Sequence, residues 1–370
     1  MDRLFSNYII QKSFFFIIII MLCIVIYFCI LKNNDSESIY ENMENKKPIN
    51  EYLETLMKHN NERHFPYRYL HDENNNILPI VMISAFFRDD KERVELYNEY
   101  VENNIKMIGI TAYKSFPKPI TDTTGDSTSK DDTFDYYSNI KNWLFCFKNP
   151  VKYGFDSRHN LMEMSESDFY DADPSAPYGN KKYDMIYVCL KDTDSCPMDG
   201  WNAVNRNFNL ALKCLPIIIN EFGMNVLVVG RVNCGLETLY GDKIEVVDFL
   251  DFYKFQDKLK ESKMLFIPNI YDASPRIVAE SIIKDIPVLM NQNIICGSKY
   301  INNETGELFT DENDIRLALT NLLGRVDKIS PKKWWKNNYS KKKSAKKLRD
   351  FLIKEYPDEL NKVEEVHFFL

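Results

Sequence analysis

The sequence predicts an α/β protein built on parallel sheets, held out from a membrane by one apolar segment. Three observations predict it. Short apolar runs such as MNVLVVG, KMLFIPN and IPVLMN alternate with segments whose charges recur at helical spacing. Eighteen residues from Phe14 to Leu31 are apolar and carry no charge. At 370 residues and 45% hydrophobic, the chain is long enough to bury two cores.

The apolar segment comes first. As a helix, 18 residues rise about 27 Å, close to the hydrocarbon thickness of a bilayer. Arg3 and Lys12 precede it, whereas only Lys32 follows before the acidic stretch NNDSESIYENMEN. The positive-inside rule then makes residues 1–13 a cytoplasmic tail and 14–31 a signal anchor, with the rest of the chain outside the cytoplasm. A cleaved signal peptide is the alternative, but its apolar region is usually shorter and no small-x-small site follows Leu31. The expectation is a single-pass type II membrane protein with a lumenal (Golgi or ER) head. Residues 32–76, rich in Asn, Glu and Lys, read as a stem. Sequons stand at Asn34, Asn303 and Asn338.

From Ile77 the texture changes. ILPIVMISAFF suits a buried strand, KERVELYNEYVENN a helix and KMIGITAY a second strand, which is the unit of a parallel sheet. Residues 117–135 and 150–182 read as irregular. A longer series follows: YDMIYVCL, NFNLALKCLPIII, MNVLVVG, KIEVVDFL, FYKFQDKLKES, KMLFIPN, PRIVAESIIK, IPVLMN and ENDIRLALTNLL, with strands and helices alternating except where MNVLVVG passes directly to KIEVVDFL. Two Rossmann-like domains are therefore expected, a small one over 77–180 and a larger one over 181–330, facing each other across a cleft. Ligands of such sheets bind at the C-terminal ends of the strands. A basic helical segment, 331–370, closes the chain. Its run KKWWKNNYSKKKSAKKLRD holds nine Lys or Arg in residues 332–349. With a net charge of −7 overall, it is read as a solvated terminal helix rather than a nucleic-acid surface. Six cysteines lie outside the apolar segment without any CxxC, which argues against a zinc site and leaves disulfide pairing unread.

The stretch YDASPRIVAESIIK places Asp272 in a loop and Glu280 on the helix after it, with Ser274 and Pro275 as N-cap and first turn. On spacing alone, Arg276, Glu280 and Lys284 form a solvated ladder at i, i+4, i+8. A loop that ends at a helix N-terminus also favours a phosphate.

The longer run from Lys258 to Phe309 resembles the donor-binding half of GT-B glycosyltransferases, particularly family 4-like enzymes. It shares their strand ending in a proline (Pro268), acid-x7-acid pair around a proline, Pro287–Val288 strand, and later glycines at Gly297 and Gly306. VLVVGRVN, with Gly230, and IEVVDFLDFYKF match the preceding elements, and the likeness covers about residues 183–325. Phrases such as SESDFYD and DASPR are similar to those of glycosyltransferase-like proteins of large DNA viruses and algae. The resemblance implies a glycosyltransferase that uses a UDP- or GDP-sugar as donor, a glycan or glycoprotein as acceptor, and neither metal nor cofactor. It sets Asp272 at the donor sugar and Glu280 on the ribose hydroxyls. It sets the loop of Ser274 and Arg276 near the diphosphate, with Lys191 and Arg206 as its basic clamps.

The first half departs from that pattern, because ISAFFRDDKER lacks the glycine-rich loop of such acceptor domains. His159 is the one histidine between residues 72 and 366, so it is the histidine candidate for general acid–base work; the alternative is a surface-loop residue. Asp89 and Asp90 are rival bases or a helix-terminal charge pair. Two further readings stay open. Asp192 and Asp194, in a DTD after a strand, would hold a metal in a GT-A-like enzyme. A membrane-anchored, non-catalytic glycan-binding protein is the other.

Overall fold

The computed structural model describes residues 65–111, 116–117, 132–272 and 276–368. The apolar anchor, the tail, the stem up to residue 64, Asn34 and Ser274 lie outside the described residues. No described helix is long and apolar enough to cross a membrane. The unit Met57–Leu370 contains all the elements that follow.

The first sheet has six strands in the order β12-β1-β2-β3-β4-β5. β2 (Ile77–Ile83), β3 (Lys106–Ile110), β4 (Asn142–Phe145) and β5 (Asn160–Glu163) are parallel, while β1 (Tyr67–His71) runs antiparallel to both β2 and β12 (His367–Phe368). β1 corrects the stem expected to reach residue 76. Flanking Asn and His hid the short run YRYLH, yet Leu70 is fully buried and the chain turns directly into β2. Two further strands, β4 and β5, went unread because each has four residues, too few to show a period.

Helix α1 (Lys91–Glu102) follows β2, capped by Asp90, whose carboxylate accepts from the amides of Glu92 and Arg93. The missing glycines of the preceding loop are replaced by Arg88 and Asp89, which adopt the left-handed conformation themselves (φ 62° and 52°). A short helix, α2 (Tyr136–Asn139), precedes β4.

The second sheet is wholly parallel, in the order β11-β10-β9-β6-β7-β8. Its strands are β6 (Tyr183–Val188), β7 (Val226–Val229), β8 (Ile244–Val247), β9 (Ser262–Ile267), β10 (Val288–Asn291) and β11 (Gly306–Phe309). Alternate residues face opposite cores: Val226, Val228, Met264 and Phe266 one way, Leu227, Val229, Leu265 and Ile267 the other. That is why these strands read as continuous apolar runs. The connecting helices are α3 (Trp201–Asn205), α4 (Phe208–Pro216), α5 (Leu236–Tyr240), α6 (Phe252–Lys260), α7 (Arg276–Ile282) and α8 (Ile315–Leu323). The order reverses between β6 and β9, a topological switch point of a doubly wound sheet.

The C-terminal basic segment is shared between the halves. In α9 (Pro331–Asn338), Trp335 is buried in the second sheet's core and donates its ring N–H to the Tyr170 carbonyl at 2.8 Å. α10 (Lys341–Leu352) then crosses back and buries Ala345, Leu348 and Leu352 against Ile80, Met82 and Ile108 of the first sheet. Each such leucine contributes about 1.5–3 kcal/mol. Its lysines occupy the outer face. A last short helix, α11 (Pro357–Leu360), leads to β12, so the first domain is completed from both ends of the chain.

Candidate functional site

A cavity of about 470 Å³ opens at the switch point, a size suited to a small ligand. Val188 and Leu190 from the end of β6, Val229 from β7, and Ile267, Asn269 and Asp272 from the end of β9 line it. Phe249 and Leu250 from the loop after β8, with Phe252 and Phe255 of α6, form a largely aromatic wall, and Arg276, Ile277 and Glu280 come from α7. Arg206 and Tyr170 complete it.

Arg276 and Glu280 are four residues apart, so α7 turns both toward the same cavity. Glu280 does not sit in the solvated ladder that its spacing suggests. Lys284 is only 7% exposed, and among the described residues neither Arg276 nor Lys284 lies within ion-pair distance of Glu280. Instead, Gln256 on α6 donates to Glu280 Oε2 at 2.8 Å. Nearby, burial raises the Tyr170 phenol, with Glu280 adding to the effect and Arg276 opposing it. Arg206 and Asp272 form an ion pair through Nη1 and Oδ2, and Asn269 donates to the same oxygen at 3.1 Å. The cavity is therefore lined by two arginines, one of them paired with Asp272, by the Gln256-tethered carboxylate of Glu280, and by an aromatic wall.

The remaining sequence candidates fall elsewhere. Gly230 does not line the cavity. It lets the end of β7 approach the end of β6, since a Cβ there would lie 2.5 Å from Leu190 Cα, and its φ is 106°. Lys191 lies outside the lining and pairs with Asp194 (3.0 Å) and Asp248 (3.2 Å). His159 is no surface-loop residue. Its ring is buried beside Tyr137 and Phe155, at the N-terminal end of β5, away from the strand edge where such sheets bind ligands. Its Nδ1 accepts from the Asp156 amide at 3.2 Å and its Nε2 donates to the Tyr137 carbonyl at 3.1 Å, so both nitrogens are occupied. Asp89 accepts from Thr133, and Asp90 caps α1.

Asp192 is likewise engaged in structure. It accepts from the amides of Asn202 (2.6 Å) and Ala203 (3.1 Å) and pairs with the buried Arg231 at 2.9 Å. Asp194 pairs with Lys191, and among the described residues no cluster of three or more His, Cys, Asp or Glu could hold a metal. Cys196 and Cys234, in the loops after β6 and β7, form a disulfide with Cα atoms 5.3 Å apart.

Sequence reasoning missed Tyr170, Asn269, Gln256 and the aromatic wall. Tyr170 lies in a stretch without period, and the partners of Glu280 and Asp272 are set by packing between elements distant in sequence. The exposed Phe249 and Phe252 were the available clue, since unburied aromatics beside a strand end are unusual.

Comparison with solved structures follows the same topology. TarM matches with a TM-score of 0.51 at 14% identity, over 74% of this chain and 54% of TarM. Sucrose-phosphate synthase from Thermosynechococcus elongatus matches with a TM-score of 0.49 at 11% identity, over 76% of this chain and 74% of that one. The pneumococcal O-GlcNAc transferase GtfA, in complex with UDP and GlcNAc, matches with a TM-score of 0.47 at 9% identity, over 70% and 54% of the two chains. No protein family's sequence profile matches the chain, and no curated protein matches its sequence. The chain has the GT-B glycosyltransferase fold. It spans about half the length of TarM.

Proposed function

We propose that the protein is a glycosyltransferase that moves a sugar from a UDP- or GDP-sugar to a glycan or glycoprotein acceptor. The observation that carries this reading is the meeting of Arg206, Arg276, Glu280 and an aromatic wall in one cavity at the sheet's switch point. A nucleoside diphosphate sugar offers a matching set of groups. Its diphosphate is a dianion suited to two guanidinium groups, which bind phosphate oxygens in pairs. The ribose diol presents two donors to a carboxylate, which has only acceptors. The base presents a flat face to Phe249, Phe252 or Phe255.

In the reaction, an acceptor hydroxyl attacks the anomeric carbon and gives up its proton to water, while the bond from that carbon to the diphosphate oxygen breaks. The nucleoside diphosphate leaves with its charge increased, and Arg206 and Arg276 stabilise that charge without a metal being called for. Asp272 and Asn269 stand at the sugar end of the donor, with Asp272 oriented by Arg206. The head is read as lumenal behind a type II anchor over residues 14–31, and the Cys196–Cys234 disulfide supports an oxidising compartment.

The test is a thermal-shift screen of the purified protein against UDP, GDP and their sugars. Stabilisation by one nucleotide family, lost in Glu280→Ala, is the expected result. A well-folded protein that responds to none of them would sink the reading.

A further inference from the structure

We propose that Cys146 and Cys296 are the site of a second disulfide, one that ties the two sheets together beside the cleft. Cys146 follows β4 of the first sheet, and Cys296 follows β10 of the second. The two are 4% and 1% exposed and share a small buried cluster with Phe147, flanked by Tyr153 and Ile295. Cys146 Sγ donates to the Thr111 carbonyl at 3.0 Å, and Cys296 packs in the same buried cluster. The segments that carry them are already in register. The Lys148 amide donates to the Ile295 carbonyl at 3.1 Å, and Lys148 Nζ donates to the Gln292 carbonyl. The Ile295 amide donates in turn to the Ile270 carbonyl at 3.0 Å, on the segment that carries Asp272. The thiol pair therefore joins the wall of the cavity to the opposite domain.

A second observation concerns the chain's surroundings. Cys196–Cys234 is already a disulfide of this chain, a bond that forms and persists in oxidising compartments and is rare elsewhere. The oxidant for the second pair is a small-molecule disulfide such as oxidised glutathione. One thiol loses its proton, attacks that disulfide and releases one glutathione thiolate. The other thiol then attacks the mixed disulfide, releasing the second glutathione. The protein dithiol loses two electrons and two protons, and one glutathione disulfide becomes two thiols. Burial holds the Cys296 thiol well above its ordinary range, so the exchange proceeds when the cleft opens and admits the oxidant.

The consequence rests on the reading of the cavity as a donor site. Enzymes of two domains exchange ligand by hinge opening, and a covalent tie across the hinge blocks it.

The experiment uses the full chain in detergent, equilibrated with mixtures of oxidised and reduced glutathione. After acid quenching and alkylation, peptides are mapped by mass spectrometry without reduction. The expected result is a Cys146–Cys296 linked peptide beside the Cys196–Cys234 one, with the loss of two alkylatable thiols, reversed by dithiothreitol. Cys214 stays a thiol, its burial pushing it up to about 12. The Cys146→Ser chain should instead carry glutathione on Cys296. If both thiols remain separately alkylatable at every mixture, or each carries its own glutathione in the unsubstituted chain, the proposal is overturned. UDP binding measured on the same samples reports on the donor site independently, so the two readings fail separately.

Discussion

Gln256 donates its side-chain amide to Glu280 Oε2 at 2.8 Å, tying α6 to α7 beside the cavity. One carboxylate oxygen is thus held by Gln256, which leaves the other for the proposed nucleotide. A hydrogen bond to a charged group contributes about 1.5–3 kcal/mol. Glu280→Ala is therefore expected to weaken UDP binding roughly 10- to 100-fold. It should also erase any difference between UDP and 2′-deoxy-UDP, because Glu280 is the group assigned to the ribose diol. Gln256→Leu should cost less and preserve that difference. Calorimetric titration of both nucleotides checks it, and continued discrimination in Glu280→Ala would overturn the assignment.

The Arg206–Asp272 pair makes a separate prediction. In the proposed donor site Arg206 meets the diphosphate rather than the base or the ribose. Arg206→Met should lower UDP affinity by about tenfold or more while leaving the weak binding of uridine unchanged. The same substitution removes the Arg206 partner of the Asp272 carboxylate, so its effect on the sugar donor should exceed its effect on UDP. Equal losses for uridine and UDP would place Arg206 elsewhere.

Much of this site was legible because it lies close together in the chain. β9, the loop with Asp272, and the helix with Arg276 and Glu280 occupy one continuous stretch, so spacing and a proline suffice to set them beside one another. Arg206 is a different case. Its place at Asp272, 66 residues away, depends on β6 and β9 being neighbours, a fact of topology that no local pattern contains. His159 shows the opposite failure. As the one histidine in a long interval it invited a catalytic reading, yet it follows a turn and enters β5 at the buried end. β1 and β12 escaped notice for a related reason, since each is short and they pair only with each other and with β2.

Asp192 carries a pH prediction. Burial raises its carboxyl, but the amides of Asn202 and Ala203 and the Arg231 guanidinium outweigh that and hold it below the ordinary range. A folded pKa below the unfolded one gives stability that is present above the unfolded pKa, near 3.8, and is lost as pH falls through the folded value. At neutral pH, Asp192→Asn leaves the buried Arg231 without its counter-ion, at a cost of about 3–5 kcal/mol. That difference from the unsubstituted protein should shrink in urea titrations as pH falls below about 4. A constant difference from neutral to acid pH would show that Asp192 contributes through shape alone.

The lumenal reading of the head can be checked through its described sequons. Asn303 and Asn338 are both exposed. Expressed in a secretory pathway, the chain should lose mass on treatment with an N-glycosidase, and the double Asn303→Gln, Asn338→Gln chain should lose less. A head that stays accessible to protease in intact microsomes would place it on the cytoplasmic side.

The Cys196–Cys234 disulfide closes a loop with a sequence separation of 38 residues. On the chain-entropy account, a loop of that length contributes about 4 kcal/mol, through the unfolded state. It also joins the loops after β6 and β7, whose strands end in Val188 and Val229 at the cavity. Cys196→Ser should therefore lower the midpoint of thermal unfolding by several degrees. With Cys146→Ser in both chains, so that the second pair cannot form, reductant should produce the same shift where Cys196 is kept, yet add little to Cys196→Ser. If reductant destabilises Cys196→Ser as strongly as the chain that keeps Cys196, the stabilising bond is a different one.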